Sequence, residues 1–249
     1  MRTFLLVFST LVLAASTAAQ KKPPKWRIDP YTKNDPKAIA AAGYVSYGPF
    51  EFGCIGDTPK TTTDIEDKLP YAQILWIETP HFRLGCNLPQ WSVPMDMPTR
   101  TKIRTELTEL KKKLPKVNPK ARRLDPWLRA HLFAWRLEKL YAETQALFGV
   151  TDADFPPNPD EVIIEEGKRY MGHGRYLGMK DKYLVLLFEE LGTYQQYLSH
   201  FVGRDTKYPQ RWHFKQVGSL MFATAENCEN TDLRHDTAMH CAISYLSIW

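Results

Sequence analysis

The run Lys182-Tyr183-Leu184-Val185-Leu186-Leu187-Phe188 decides the fold. Apart from Lys182, every side chain is aliphatic or aromatic and no polar alternation interrupts it, as in a central strand buried on both faces. Downstream, Tyr194, Tyr197, Leu198 and Phe201 mark a short helix that Gly203 closes. Residues 211–224 read as a strand or hairpin around Gly218, ending in Ser219-Leu220-Met221-Phe222-Ala223. Upstream, Phe155-Pro156-Pro157-Asn158-Pro159 is a loop and 161–164 a short strand. Residues 167–180 hold several glycines, but their spacing is not that of a phosphate-binding loop.

The first half supplies another strand and two helices. Ile74-Leu75-Trp76-Ile77 reads as a strand, continuing through Pro80, which predicts a break or an edge, into the alternating His81-Phe82-Arg83-Leu84. His81 reads as a surface or packing histidine. Residues 98–114 form a helix with Ile103, Leu107, Leu110 and Leu114 in one stripe and Lys111, Lys112 and Lys113 in the last turn. The basic run 111–123 reads as a solvated helix end and loop. Asp125 caps a second helix, Pro126 takes its first position and Gly149 stops it after Phe148. Its core face carries Phe133, Leu137, Leu140, Tyr141, Leu147 and Phe148, with His131 on the polar rim. Residues 43–57, rich in glycine and aromatics, read as a loop pinned onto a surface. Grouped strands with segregated helices give an α+β fold.

The chain ends imply export. Arg2, the apolar stretch 4–15 and the small residues 15–19 have the form of a signal peptide, and 4–15 is too short for a membrane span. No later stretch approaches the roughly 18 apolar residues a span requires. Residues 20–42 read as a basic, proline-containing leader without a core of its own, and 43–249 as a single α+β domain. The expected location is periplasmic, secreted or at the cell surface. A net charge of +5, spread along 249 residues, does not call for a nucleic-acid partner. Four cysteines, Cys54, Cys86, Cys228 and Cys241, allow three disulfide pairings; Cys54 with Cys86 and Cys228 with Cys241 are the preferred ones. Cys241 reads equally as a buried free thiol.

Residues 232–249 read as a final helix, capped by Asp232 and carrying His235 and His240 before turning almost wholly apolar. Three stretches now resemble the gluzincin metallopeptidases of the peptidase MA type and exported bacterial proteins sharing their frame. They are Ile77-Glu78-Thr79-Pro80-His81-Phe82-Arg83-Leu84, the helix from Arg136 to the stop at Gly149, and 218–223 followed by the helix with His240. The resemblance covers about 72–249 and implies a zincin-like mixed sheet with packed helices, either as a degenerate copy or as one truncated at its C-terminus.

The family's H-E-x-x-H motif sets two imidazoles on one zinc and a glutamate on the bound water. Here the aligned residues are His240-Cys241-Ala242-Ile243-Ser244, or His235-Asp236-Thr237-Ala238-Met239. His235 and His240 point about 140° apart on a helix, so they do not share one ion. The expectation is an exported, non-catalytic relative that binds rather than hydrolyses, with no cofactor. The alternative is a divergent zinc-dependent hydrolase using His240 with His235, Asp236 or His213. A third reading is a structural envelope protein with another envelope protein as its partner.

Overall fold

The computed structural model describes residues 23–155, 174–226 and 228. Residues 1–19, the 161–164 strand, and His235, Asp236, His240 and Cys241 lie outside them. The described chain runs α1 (Pro36–Ala41), β1 (Glu51–Ile55), β2 (Thr58–Thr61), α2 (Thr62–Lys68), β3 (Leu75–Glu78), β4 (Phe82–Asn87), β5 (Trp91–Ser92), α3 (Met97–Lys113), β6 (Arg123–Leu124), α4 (Pro126–Phe148), β7 (Tyr183–Phe188), α5 (Leu191–Phe201), β8 (Gln210–Phe214) and β9 (Ser219–Ala225).

The fold is α+β, built on a mixed five-stranded sheet in the order β3-β4-β7-β9-β8. β7 is its middle strand, parallel to both neighbours, while β3 and β8 run antiparallel at the edges. The two-residue period of β7 divides its side chains between two cores. Tyr183, Val185 and Leu187 join a core with α3 and α4. Leu184, Leu186 and Phe188 join another with Phe52, Ile65 and the α5 residues Tyr194, Tyr197 and Leu198. β4 carries Gly85 where a Cβ would lie 2.4 Å from the Trp76 ring and 2.5 Å from Leu186. The missing side chain lets the indole lie across the sheet.

The helices end where their chemistry predicts. Asp96 accepts the Thr99 amide at the start of α3, and Asp125 accepts the Leu128 amide at the start of α4. Gly149 closes α4 in the left-handed region, at φ 64°. The stripe of α3 is buried at Ile103, Leu107 and Leu110, and Glu106 beside it holds Arg136 of α4 in a buried pair at 2.6 Å. Leu147 and Phe148, assigned to the core face, are exposed.

The break expected at Pro80 is present: Thr79-Pro80-His81 form the turn of the β3–β4 hairpin. Other expectations are corrected. Residues 43–57 are not only a loop, since 51–61 fold into the β1–β2 hairpin with Phe52 fully buried. The basic leader does not stand outside the core: Asp29 and Thr32 are buried, and Ile39 and Ala42 pack into the first core. Cys54 and Cys86 are free thiols, buried in different cores on opposite sides of the sheet, so they cannot pair. Cys228 is also free; its sulfur accepts the Ala225 amide.

Candidate ligand cleft

Parallel strands leave a crevice beyond their carboxyl ends, where no further strand continues the layer. In this sheet that end is marked by Asn87, Phe188 and Ala225. A cleft of about 680 Å³ opens there. Its apolar walls include Trp26, Ile28, Leu75 and Trp127, and its polar groups include Asn87, Gln90 and Glu189. Pro30, Pro89 and Pro126 also line it, and their fixed φ angles stiffen the wall.

One wall is the leader, held from two sides. The Trp127 indole N–H donates to the Trp26 carbonyl at 2.9 Å. Arg27 pairs with Glu66 of α2 at 2.6 Å, and the other Glu66 oxygen accepts the Trp76 indole at 2.8 Å. Beneath the wall sits Asp29, wholly buried. It accepts the Tyr31 amide at 2.8 Å and the Tyr47 hydroxyl at 2.8 Å, and Thr32 donates from both amide and hydroxyl. His131 Nε2 lies 3.2 Å from Asp29 Oδ2. Burial alone would raise the Asp29 pKa; His131 and the donors outweigh it and hold the carboxyl far below the usual range. His131 is therefore no rim residue. It is fully buried and stacks on Tyr44.

Behind the lining residue Pro89, the Arg129 guanidinium donates to the Pro89 carbonyl at 2.7 Å and pairs with Glu226. Glu189 follows β7 directly and has no side-chain hydrogen bond or ion pair among the described residues. Partial burial, with Glu190 and Glu226 nearby, pushes its carboxyl above the ordinary value. Asp125 is already used, accepting the Tyr31 hydroxyl at 2.6 Å and capping α4.

The opposite end of the sheet holds a denser set of charges. Glu78 accepts from Lys182 at 3.0 Å and Ser46 at 2.9 Å, and Lys182 also donates to the Thr79 carbonyl. Arg83 pairs with Asp181 at 2.6 Å. His81 stacks on Tyr141 at 3.8 Å, with Nδ1 2.7 Å from Glu138 and Nε2 3.3 Å from Asp152. Burial would lower the His81 pKa, but Glu138 first and then Asp152 raise it above the ordinary value. Burial would raise the Glu138 pKa, but the hydrogen bond with His81 outweighs it and holds the carboxyl below the ordinary value.

Of the sequence-predicted zinc ligands, only His213 lies among the described residues. His213 lies exposed on the edge strand β8, where partial burial and the charges of Lys215 and Arg211 lower its pKa. Among the described residues no three His, Cys, Asp or Glu side chains gather as a metal-binding group. Trp26, Trp127 and Glu189 were not singled out from sequence as lining a site, because each joins the cleft only through the sheet. The one available signal was the acidic pair Glu189-Glu190 directly after the central strand. No family model matches the chain, and no curated protein or solved structure matches it.

Proposed function

We propose that the chain is an exported binding protein whose ligand occupies the cleft beyond the carboxyl ends of β4 and β7. The observation that carries this reading is the cleft itself: about 680 Å³, walled by two indoles and stiffened by prolines, with a Glu189 carboxylate that has no partner among the described residues on its lining. Such a mostly apolar hollow with a few directed polar groups is the form of a small-molecule site. Its chemistry suits a ligand with a flat apolar body and a cationic or hydrogen-bond-donating head. The body would lie against the indoles and the head on Glu189. The signal-peptide-like form of residues 1–19 supports binding outside the cytoplasm.

Trp26 and Trp127 supply the readout. Titration with phenethylamine is expected to change the intrinsic fluorescence saturably, and phenylacetate, of opposite charge, to leave it unchanged. Glu189→Gln should remove the response to the amine. Equal responses to both compounds, or full retention in the variant, would overturn the reading.

A second reading is a divergent zinc-dependent hydrolase, proposed from the gluzincin resemblance. It is favoured by one placement: β9 ends at Ala225 on the cleft side of the sheet, shortly before His235, Asp236 and His240 in sequence. Metal analysis of the purified chain tests it. Stoichiometric zinc, lost on His240→Ala, supports it, and a folded, metal-free protein after zinc loading sinks it.

A further inference from the structure

The basic run 111–123 meets a second set of cations that the sequence keeps apart. The first turns of α3 and the loop before β6 enclose a groove of about 340 Å³. Val93, Ile103 and Ala121 give it an apolar lining, and Arg100, Arg104, Lys120 and Arg122 surround that lining, with no acidic side chain among the described residues of its walls. None of these four cations makes a side-chain hydrogen bond or ion pair among the described residues. Elsewhere Arg27, Arg83, Arg129, Arg136 and Lys182 all hold carboxylates. Arg100 and Arg104 stand one turn apart on α3, a like-charge spacing that weakens a helix unless an anion relieves it. At the groove mouth Met95 and Met97 are 76% and 68% exposed. Asp96 between them caps α3 through the Thr99 amide.

We propose that this groove docks onto an anionic phospholipid surface, independently of the cleft. The four cations meet the phosphate headgroups, and Met95 and Met97 enter the boundary between headgroups and acyl chains. Charge complementarity supports the choice, since four cations with no carboxylate partner among the described residues line one concavity. The methionines separate a membrane from its competitors. A free phosphate ion would make no use of two exposed thioethers. A nucleic acid strand would find no aromatic ring among the lining residues to stack on. Basic and apolar groups together are what a peripheral membrane contact requires, because neither alone anchors firmly.

The test uses the full chain with vesicles of phosphatidylcholine and phosphatidylglycerol, against phosphatidylcholine alone. Sedimentation gives the affinity, and hydrogen exchange gives the location. Anionic vesicles should protect amides in 93–104 and 119–122. Arg100→Gln with Arg104→Gln should weaken binding by roughly fivefold per charge removed. Met95→Ser with Met97→Ser should weaken it further while keeping the preference for anionic vesicles. All these side chains are at least partly exposed, and circular dichroism checks that each variant is folded. The proposal is overturned if protection in these segments is absent or equal on neutral vesicles, or if the arginine variant binds like the parent. It is also overturned if inorganic phosphate or a single-stranded oligonucleotide gives the same protection.

Discussion

The two ends of the central sheet are built in opposite ways. At the amino ends of β4 and β7, charges are closed on one another: Glu78 with Lys182, Arg83 with Asp181, and His81 between Glu138 and Asp152. Beyond the carboxyl ends the walls are indoles and prolines, and Glu189 is unpartnered among the described residues. Charges that satisfy each other fix geometry and have little left to offer a ligand. A desolvated carboxylate beside open apolar surface has its interaction still to make.

Asp29→Ala should give the largest effect. It removes the buried acceptor that gathers Tyr31, Thr32 and Tyr47 under the leader wall and that His131 Nε2 approaches at 3.2 Å. Urea unfolding should show a loss of about 3–5 kcal/mol, and phenethylamine binding should weaken with it. If stability held while the leader remained packed, the wall would not depend on that carboxylate.

Lys182→Met comes next, at the opposite end. Glu78 keeps Ser46 and Arg83 but loses its principal partner, so a destabilisation near 3 kcal/mol is expected. Amine binding at the cleft should be unchanged. A parallel loss of binding would mean that the two ends are coupled.

The His81–Glu138 pair predicts a pH dependence of defined sign. His81 is raised in the folded state, so its contribution is full below the ordinary histidine value and fades as pH rises through the folded one. Glu138 is lowered, so its contribution is present above the ordinary glutamate value and fades as pH falls through the folded one. Stability from this pair should therefore peak between mildly acidic and near-neutral pH and decline toward alkaline pH by about 0.5–1 kcal/mol. Thermal melts of the parent and His81→Gln across that range should converge at alkaline pH, and curves that stay parallel would refute the assignment.

Glu189→Gln should change least in stability, within about 0.5 kcal/mol, because no partner among the described residues is lost. Its expected effect is on amine binding alone. A large destabilisation would move Glu189 from the open end of the comparison to the closed one.

Much of the frame was legible in the sequence. The unbroken apolar run of β7 named the central strand, the stripe of α3 named its buried face, and Asp125, Pro126 and Gly149 bounded α4. These readings hold because the spacing of side chains along one element is set by its own backbone geometry. The β1–β2 hairpin escaped because its glycines, read as loop signals, serve close packing instead: a Cβ on Gly53 would lie 2.7 Å from the Phe214 ring. His131 escaped because nothing local in its helix reveals that Asp29 waits below it.

By itself, then, the sequence determined the α+β class, the middle strand and the principal helices. It also raised the gluzincin resemblance and the ligand candidates at 235–240, which lie outside the described residues. Only the tertiary structure decided that the leader is a wall, that Cys54 and Cys86 face different cores, and that the cleft lies at one end of the sheet while the paired charges fill the other. The reason is the range of the forces involved. Hydrophobic periodicity is written between neighbours along an element, whereas a carboxylate's partner is chosen through space, as Glu78 and Lys182 are across 104 residues of chain.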